Sequence, residues 1–198
     1  MKHTISIIAC LFALLVSGCE ENDTPTTPPS QSEQQAPTNA DSSQVTAETQ
    51  APPQPLTTQA SWDDIQTIVT QSKGKVVVVD IWSTYCAPCM QEFPHLLALQ
   101  KEHPQNVICL SFNINFSGLP NQTAETDLPL IHQFLERQTS QVINFVSTQT
   151  DEEIYAQLEI VAIPAIVVFN QRGERVATVM EKSGYQTRVF PLVKQLLE

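Results

Sequence analysis

The chain has little positive charge. It contains ten Lys and Arg residues against 21 Asp and Glu residues, so its formal net charge is −11 at pH 7. A protein that binds nucleic acid needs clustered Lys and Arg side chains to neutralise phosphates. The composition therefore predicts that nucleic acid is not a partner.

The chain also lacks an apolar run as long as the roughly 20 residues that span a bilayer. Its most apolar stretch follows Lys2 and ends at Val16, which is the arrangement of an export signal. The end of this stretch and the three residues after it, Leu15-Val16-Ser17-Gly18-Cys19, resemble a bacterial lipobox. The resemblance implies that residues 1–18 are a signal peptide and that Cys19 is lipidated and anchors the protein to a membrane. An ordinary secretory signal cut near the same place is the alternative.

Residues 20–60 contain no glycine, no aromatic residue and no Lys or Arg, but they do contain seven prolines among many Thr, Gln and Ser residues. A segment of this composition cannot bury enough apolar surface to fold by itself. We therefore predict that residues 19–60 form a disordered tether that begins with the lipidated cysteine. A folded domain would then cover residues 61–198.

Cysteine is scarce, with five in 198 residues. Cys10 and Cys19 fall in the export segment and the anchor, which leaves Cys86, Cys89 and Cys109. Structural zinc usually needs a second pair of ligands, and a structural disulfide over three residues closes too small a loop to add much stability. The Cys86–Cys89 pair therefore favours redox chemistry, with no metal and no cofactor beyond the pair itself. We expect Cys109, in an apolar strand pattern, to be a core residue; a resolving or regulatory thiol is the alternative.

The redox pair lies where a predicted strand passes into a predicted helix. The four valines at 76–79 are typical of a strand that is buried on both faces. A helix N-terminus carries unpaired N–H groups and the positive end of the helix dipole, and both favour a thiolate. We therefore expect Cys86 to be the nucleophile and Cys89, one turn further on, to resolve the mixed disulfide.

The rest of the domain alternates between strand and helix patterns and ends in a hairpin and a helix. This order predicts a layered α/β domain. We predict strands at about 75–82, 106–114, 142–146, 165–170 and 175–180, and helices at about 61–72, 87–102, 129–139, 150–158 and 187–197.

Residues 80–94, Asp-Ile-Trp-Ser-Thr-Tyr-Cys-Ala-Pro-Cys-Met-Gln-Glu-Phe-Pro, resemble the active-site segment of the thioredoxin superfamily. The Glu-Phe-Pro sequence at 92–94 narrows the resemblance to the TlpA/ResA-like membrane-anchored thiol–disulfide oxidoreductases. Val-Ala-Ile-Pro-Ala at 161–165 resembles the loop in which a cis-proline faces the cysteines. The resemblance covers roughly residues 61–198. It implies a thioredoxin-like fold, in which a central mixed sheet is flanked by helices and a helix and strand at 129–146 are inserted.

Two acidic residues are candidates for proton transfer. A carboxylate in an apolar strand has a raised pKa because burial disfavours its charge, so Asp80 could accept the proton of Cys89. The alternative is an Asp80 that points into solvent from the end of the strand. The resemblance links Glu92 to cysteine reactivity, but a solvated residue on the second turn of a helix is the competing interpretation.

Four residues are candidates for substrate binding. Trp82 and Tyr85 would flank the thiols as an apolar docking rim, although both could equally be core aromatics. The resemblance implies a cis bond before Pro164, which would present the backbone of Ile163 to an extended substrate segment. A trans proline at the start of an edge strand is the alternative.

The resemblance implies an extracytoplasmic enzyme of the cell envelope that reduces protein disulfides, and cytochrome c maturation is one use within the branch. Such a reductase needs a membrane-embedded thiol as electron donor. Two alternatives remain open at this point, namely a dithiol oxidase or isomerase and a redox-inactive thioredoxin-fold binding module.

Overall fold

The computed structural model describes residues 56–138 and 142–198. The predicted signal peptide, the lipidation site at Cys19 and the tether as far as residue 55 lie outside the described residues. No helix in the described ranges is both long and apolar enough to cross a membrane.

The described strands form one mixed sheet of six strands. They are β1 (Thr58–Ala60), β2 (Val76–Trp82), β3 (Val107–Asn113), β4 (Ile143–Ser147), β5 (Ala165–Phe169) and β6 (Arg175–Val179). Their order across the sheet is β1-β4-β3-β2-β5-β6. The first four run parallel to one another, whereas β5 is antiparallel to β2 and to β6. The sheet therefore has the mixed α/β architecture that the sequence predicts.

Helices cover both faces of the sheet. They are α1 (Trp62–Gln71), α2 (Ala87–Glu102), α3 (Leu128–Glu136), α4 (Asp151–Leu158) and α5 (Phe190–Leu197). A single turn of π-helix (Tyr185–Val189), hereafter the π-turn, precedes α5. Apolar residues of α2, α3, the π-turn and α5 form one core, and those of α1 and α4 form the other.

The central strand β2 separates the two cores. All seven of its residues are buried, and successive side chains of a strand point to opposite faces. Val76, Val78 and Trp82 belong to the core under α2, whereas Val77 and Val79 belong to the core under α1. A strand covered on both faces needs apolar residues at consecutive positions, which explains the four valines.

The folded domain begins earlier than residue 61, where we expected it to start. Thr58–Ala60 form β1, which pairs in parallel with β4, and Ala60 is buried. The side chain of Asn144 also donates a hydrogen bond to the backbone carbonyl of Leu56 at 3.3 Å. A short edge strand is stabilised by backbone hydrogen bonds to the neighbouring strand. A segment rich in Thr and Gln can therefore form such a strand.

The predicted helix starts at Ser61 and Thr150 are confirmed, because both residues form complete capping boxes. The C-terminal helix differs from the prediction. Residues 185–189 form the π-turn, so the helical segment begins two residues before the predicted 187. Tyr185 is fully buried by this earlier turn.

Candidate active site

The cysteine pair is at the junction between β2 and α2. Cys86 is the N-cap of α2, and the sulfur atoms of Cys86 and Cys89 are joined in a disulfide with the Cα atoms 5.3 Å apart. The backbone N–H of Cys89 donates to the sulfur of Cys86 at 3.2 Å. Cys86 is half-buried, whereas Cys89 is completely buried.

This asymmetry assigns different chemistry to the two sulfurs. Another protein can reach the sulfur of Cys86 but not that of Cys89. In the reduced state, the N–H of Cys89 and the first turn of α2 would stabilise negative charge on Cys86. The geometry therefore suits Cys86 as the attacking thiolate and Cys89 as the internal thiol that resolves the adduct.

Asp80 lies inside the sheet, which excludes the solvent-facing alternative. It is 1% exposed and pairs with Ser111 of β3 and Ile166 of β5. Burial raises the pKa of Asp80 to about 7, the hydroxyl of Tyr185 opposes this rise, and the charge of Glu92 adds to it. The Tyr185 hydroxyl donates to Oδ2 at 2.7 Å. Asp80 can therefore gain and lose a proton near neutral pH.

Glu92 is buried as well, so the solvated interpretation is wrong. It lies three residues after Cys89 in α2 and is 7% exposed. Its Oε2 atom and Oδ1 of Asp80 have no hydrogen-bond partner among the described residues. Two carboxyl groups with unpaired buried oxygens therefore face the same core as Cys89 and interact electrostatically.

Trp82 is not part of a docking rim, and that expectation is wrong. It is completely buried, and its ring packs against Phe93 and Phe134 with centroid distances of 5.1 and 4.9 Å. Its Nε1–H donates to the hydroxyl of Ser111 at 3.2 Å. Trp82 is the last residue of β2, so side-chain alternation directs it into the core beneath α2.

Tyr85, in contrast, is 69% exposed next to Cys86. Its hydroxyl donates to Oδ1 of Asp127 at 3.1 Å, and this hydrogen bond raises the pKa of Tyr85. An aromatic ring held in place beside the accessible sulfur suits the predicted rim.

A buried polar network that the sequence did not reveal holds the loop before Cys86. Oδ1 of Asn115 accepts hydrogen bonds from the Ser83 hydroxyl at 2.8 Å and from the Thr84 backbone N–H at 2.9 Å. Its Nδ2 donates to Oδ2 of Asp127 at 3.2 Å. Asp127, just before α3, thus joins the Asn115 amide to the hydroxyl of Tyr85. In the sequence these residues lie in or beside a polar loop, where nothing distinguishes them from solvated residues.

The loop before β5 faces the same site. The peptide bond between Ile163 and Pro164 is cis, as the resemblance implied, and Pro164 is buried. Ile163, Tyr85 and Cys86 line one cleft of about 660 Å³. Leu119 and Val161 on its walls are 64% and 86% exposed. The cleft thus offers apolar surface around the accessible sulfur.

Cys109 is buried at 1% exposure in β3, as expected of a core residue. Burial and the nearby Asp80 charge raise the pKa of its thiol well above the usual range. Such a thiol stays protonated and is a poor nucleophile.

The fold and the site together define a thioredoxin-like protein with one accessible and one buried cysteine. No family model matches the chain. The DsbF homologue from Corynebacterium diphtheriae shares the fold, with a TM-score of 0.52 and 16% identity over 64% of this chain and 75% of that structure.

Two curated relatives are similar to the chain in sequence. The thiol-disulfide oxidoreductase ResA of Bacillus subtilis is 29% identical over 110 residues, which are 54% of this chain and 54% of the relative. The sporulation thiol-disulfide oxidoreductase A of the same organism is 20% identical over 127 residues, which are 64% of this chain and 67% of the relative. The chain therefore spans about half the length of ResA. The chain thus has a thioredoxin-like fold and is similar in sequence to these two thiol-disulfide oxidoreductases.

Proposed function

We propose that this protein is a thiol–disulfide oxidoreductase that reduces disulfides in other proteins through Cys86 and Cys89. The observation that carries the proposal is the asymmetry of the pair: the Cys86 residue is half-buried, whereas Cys89 is sealed in the core into which two buried carboxyl groups also point. No further cofactor is part of the proposal, because the cysteine pair itself stores two electrons.

The first step forms a mixed disulfide. The Cys86 thiolate attacks one sulfur of the substrate disulfide, so a Cys86–substrate bond forms while the substrate S–S bond breaks. The second substrate sulfur leaves as a thiolate and takes a proton from solvent. Tyr85 and the backbone of Ile163, which line the cleft around Cys86, would hold the substrate segment in an extended form.

The second step releases the substrate. Cys89 passes its proton to Asp80, and the resulting thiolate attacks the sulfur of Cys86. The mixed disulfide breaks and the Cys86–Cys89 disulfide forms. The substrate sulfur that was bonded to Cys86 leaves as a thiolate and takes a proton from solvent, and Asp80 returns its proton to solvent. Overall, two enzyme thiols become a disulfide and the substrate disulfide becomes two thiols. A further dithiol must then reduce the enzyme.

The test is the reduction of insulin disulfides with dithiothreitol as the electron source. The wild-type protein should accelerate the reaction, and Cys86→Ala should return it to the uncatalysed rate. In the same assay, Tyr85→Ala should raise KM several-fold because the rim is lost, whereas Val176→Ala, an exposed residue of β6, should change neither KM nor kcat. A wild-type protein without activity would favour the redox-inactive binding module.

The direction of electron flow is tested by the reduction potential of the Cys86–Cys89 pair. A reductase should be poised near thioredoxin, at about −270 mV, whereas a dithiol oxidase is poised near −120 mV. A potential near that of the dithiol oxidase would contradict the proposed reductase and would support the oxidase or isomerase.

The proposed location is the cell envelope, outside the cytoplasm. Support comes from the lipobox-like sequence that ends at Cys19 and from the tether composition that follows it. A lipid anchor would keep the enzyme beside a membrane-embedded thiol that donates electrons, and cytochrome c maturation is a use compatible with this arrangement. We expect the full chain to fractionate with membranes and Cys19→Ala to do so no longer; a Cys19→Ala chain that stays with the membranes would contradict the anchor.

A further inference from the structure

We propose that Tyr185 is a positioning residue that holds the carboxyl group of Asp80 in one orientation, so that Oδ2 is occupied and Oδ1 remains available for the proton of Cys89. This inference rests on the proposed function, since it concerns the second step of that reaction. Tyr185 is fully buried, and its hydroxyl donates to Oδ2 at 2.7 Å although the two residues are 105 positions apart.

Asp80, Tyr185 and Cys89 face the same core. Side-chain alternation in β2 places Asp80 between Val78 and Trp82, and those two residues pack in one cluster with Cys89 and Tyr185. Oδ1 is the oxygen of Asp80 that has no hydrogen-bond partner among the described residues. An unpaired carboxylate oxygen in a core carries the cost of a buried charge, and a proton that arrives there during the reaction would neutralise that charge.

The glycine that precedes Tyr185 allows this contact. A Cβ atom on Gly184 would lie 2.7 Å from Cγ1 of Val179 and 3.6 Å from Cδ1 of Ile166. Ile166 is the residue of β5 that pairs with Asp80. The missing side chain at Gly184 therefore lets the π-turn approach the sheet closely enough for the Tyr185 hydroxyl to reach Asp80.

The groups around Asp80 set the direction of the expected effect. Glu92 of α2 and Cys109 of β3 interact electrostatically with Asp80. The ring of His95 in α2 packs against the ring of Tyr185, with centroids 6.0 Å apart. Burial and the Glu92 charge raise the pKa of Asp80, and the Tyr185 hydrogen bond lowers it. Loss of the hydroxyl should therefore make Asp80 ionise at higher pH and delay resolution by Cys89.

The test is Tyr185→Phe in the full chain, assayed with the small aromatic disulfide DTNB. The reduced protein should release one thiolate when Cys86 is modified and a second when Cys89 resolves the adduct. We expect the first phase to be unchanged. The midpoint of the pH profile of the second phase should rise by about one unit, because a hydrogen bond to a charged group is lost. Thr67→Val, which removes an exposed hydroxyl from α1 on the opposite face of the sheet, should leave both phases as in the wild type.

The same change made in an Asp80→Asn background distinguishes a positioning role of Tyr185 from a packing role. In Asp80→Asn, the further change Tyr185→Phe should not move the pH profile, because no carboxyl group remains to be positioned. An unshifted midpoint in Tyr185→Phe, or an equal slowing in both backgrounds, would overturn the proposal. An absent first phase in the wild type would instead overturn the proposed function. Gly184→Ala provides a second test if Tyr185→Phe does not fold. It displaces the π-turn but keeps the tyrosine, and it should shift the midpoint of the pH profile in the same direction.

Discussion

Cys89→Ser is expected to turn the enzyme into a trap that stays bonded to its substrate. Cys86 is accessible and keeps its place at the N-terminus of α2, so it should still attack a disulfide. The buried serine cannot displace the substrate sulfur, because a hydroxyl is a far weaker nucleophile than a thiolate. Turnover should fall by about 10³-fold or more, which corresponds to about 4 kcal/mol of transition-state stabilisation. Non-reducing electrophoresis and mass spectrometry of protein recovered from cells should reveal adducts that dithiothreitol releases.

Two matched variants make this result specific. Cys86→Ser/Cys89→Ser should form no adduct, because the accessible sulfur is gone. Cys109→Ala/Cys89→Ser should form the same adducts as Cys89→Ser, because the Cys109 thiol is buried in β3 and plays no part. If adducts formed through Cys109, or if folded Cys89→Ser captured nothing under oxidising conditions, the assigned roles of the two cysteines would be wrong.

Asp80→Asn is expected to remove a large part of the pH dependence of stability. The pKa of Asp80 is about 7 in the folded protein and near 3.9 in an unfolded chain. Between these values the unfolded chain releases a proton that the folded protein keeps, so the free energy of unfolding should fall as pH rises from about 4 to about 7. The loss should approach about 4 kcal/mol, with no further contribution from Asp80 above that window.

Urea unfolding at pH 4, 5.5, 7 and 8 measures this effect. Asp80→Asn should have a flatter profile than the wild type, and its absolute stability matters less because an asparagine amide in the core has its own hydrogen-bond requirements. Asp63→Asn, an exposed substitution in α1, should leave the slope unchanged. Equal slopes for the wild type and Asp80→Asn would show that Asp80 does not hold a proton near neutral pH in the folded state. We also expect Asp80→Asn to slow resolution by Cys89, since the proton acceptor is lost.

The parts of the site that the sequence predicts correctly depend on local signals. The valine run predicts a strand buried on both faces, and the cysteines after it predict a helix start at Cys86. Ser61 and Thr150 are each followed three positions later by an acidic residue, Asp64 and Glu153, and this spacing predicts the capped start of two further helices. Each signal lies within a few residues of the structure it specifies, so it can be recognised without knowledge of the fold.

The positions that the sequence does not predict correctly are determined by tertiary packing. The sequence predicts Trp82 in the docking rim, with a core aromatic as the alternative, and the alternation of β2 places its ring in the core against Phe134 of α3. Thr58–Ala60 form a strand because they pair with the edge of β4, which no property of this Thr-Gln-Ala segment indicates. Asn115 and Asp127 look like loop residues until the fold brings them under the loop that carries Tyr85.

A redox cysteine pair at a strand-to-helix junction, in a layered α/β domain, can be recognised from the amino-acid sequence. Residue order alone places Cys86 ahead of Cys89 at the helix start. The surroundings of that pair depend on how the helices pack on the sheet. This packing seals Cys89 and both carboxyl groups in one core, and it brings Tyr185 to Asp80 across 105 residues. Contacts over such separations arise from the packing of the π-turn against the sheet, and the sequence around either residue carries no local signal of that packing.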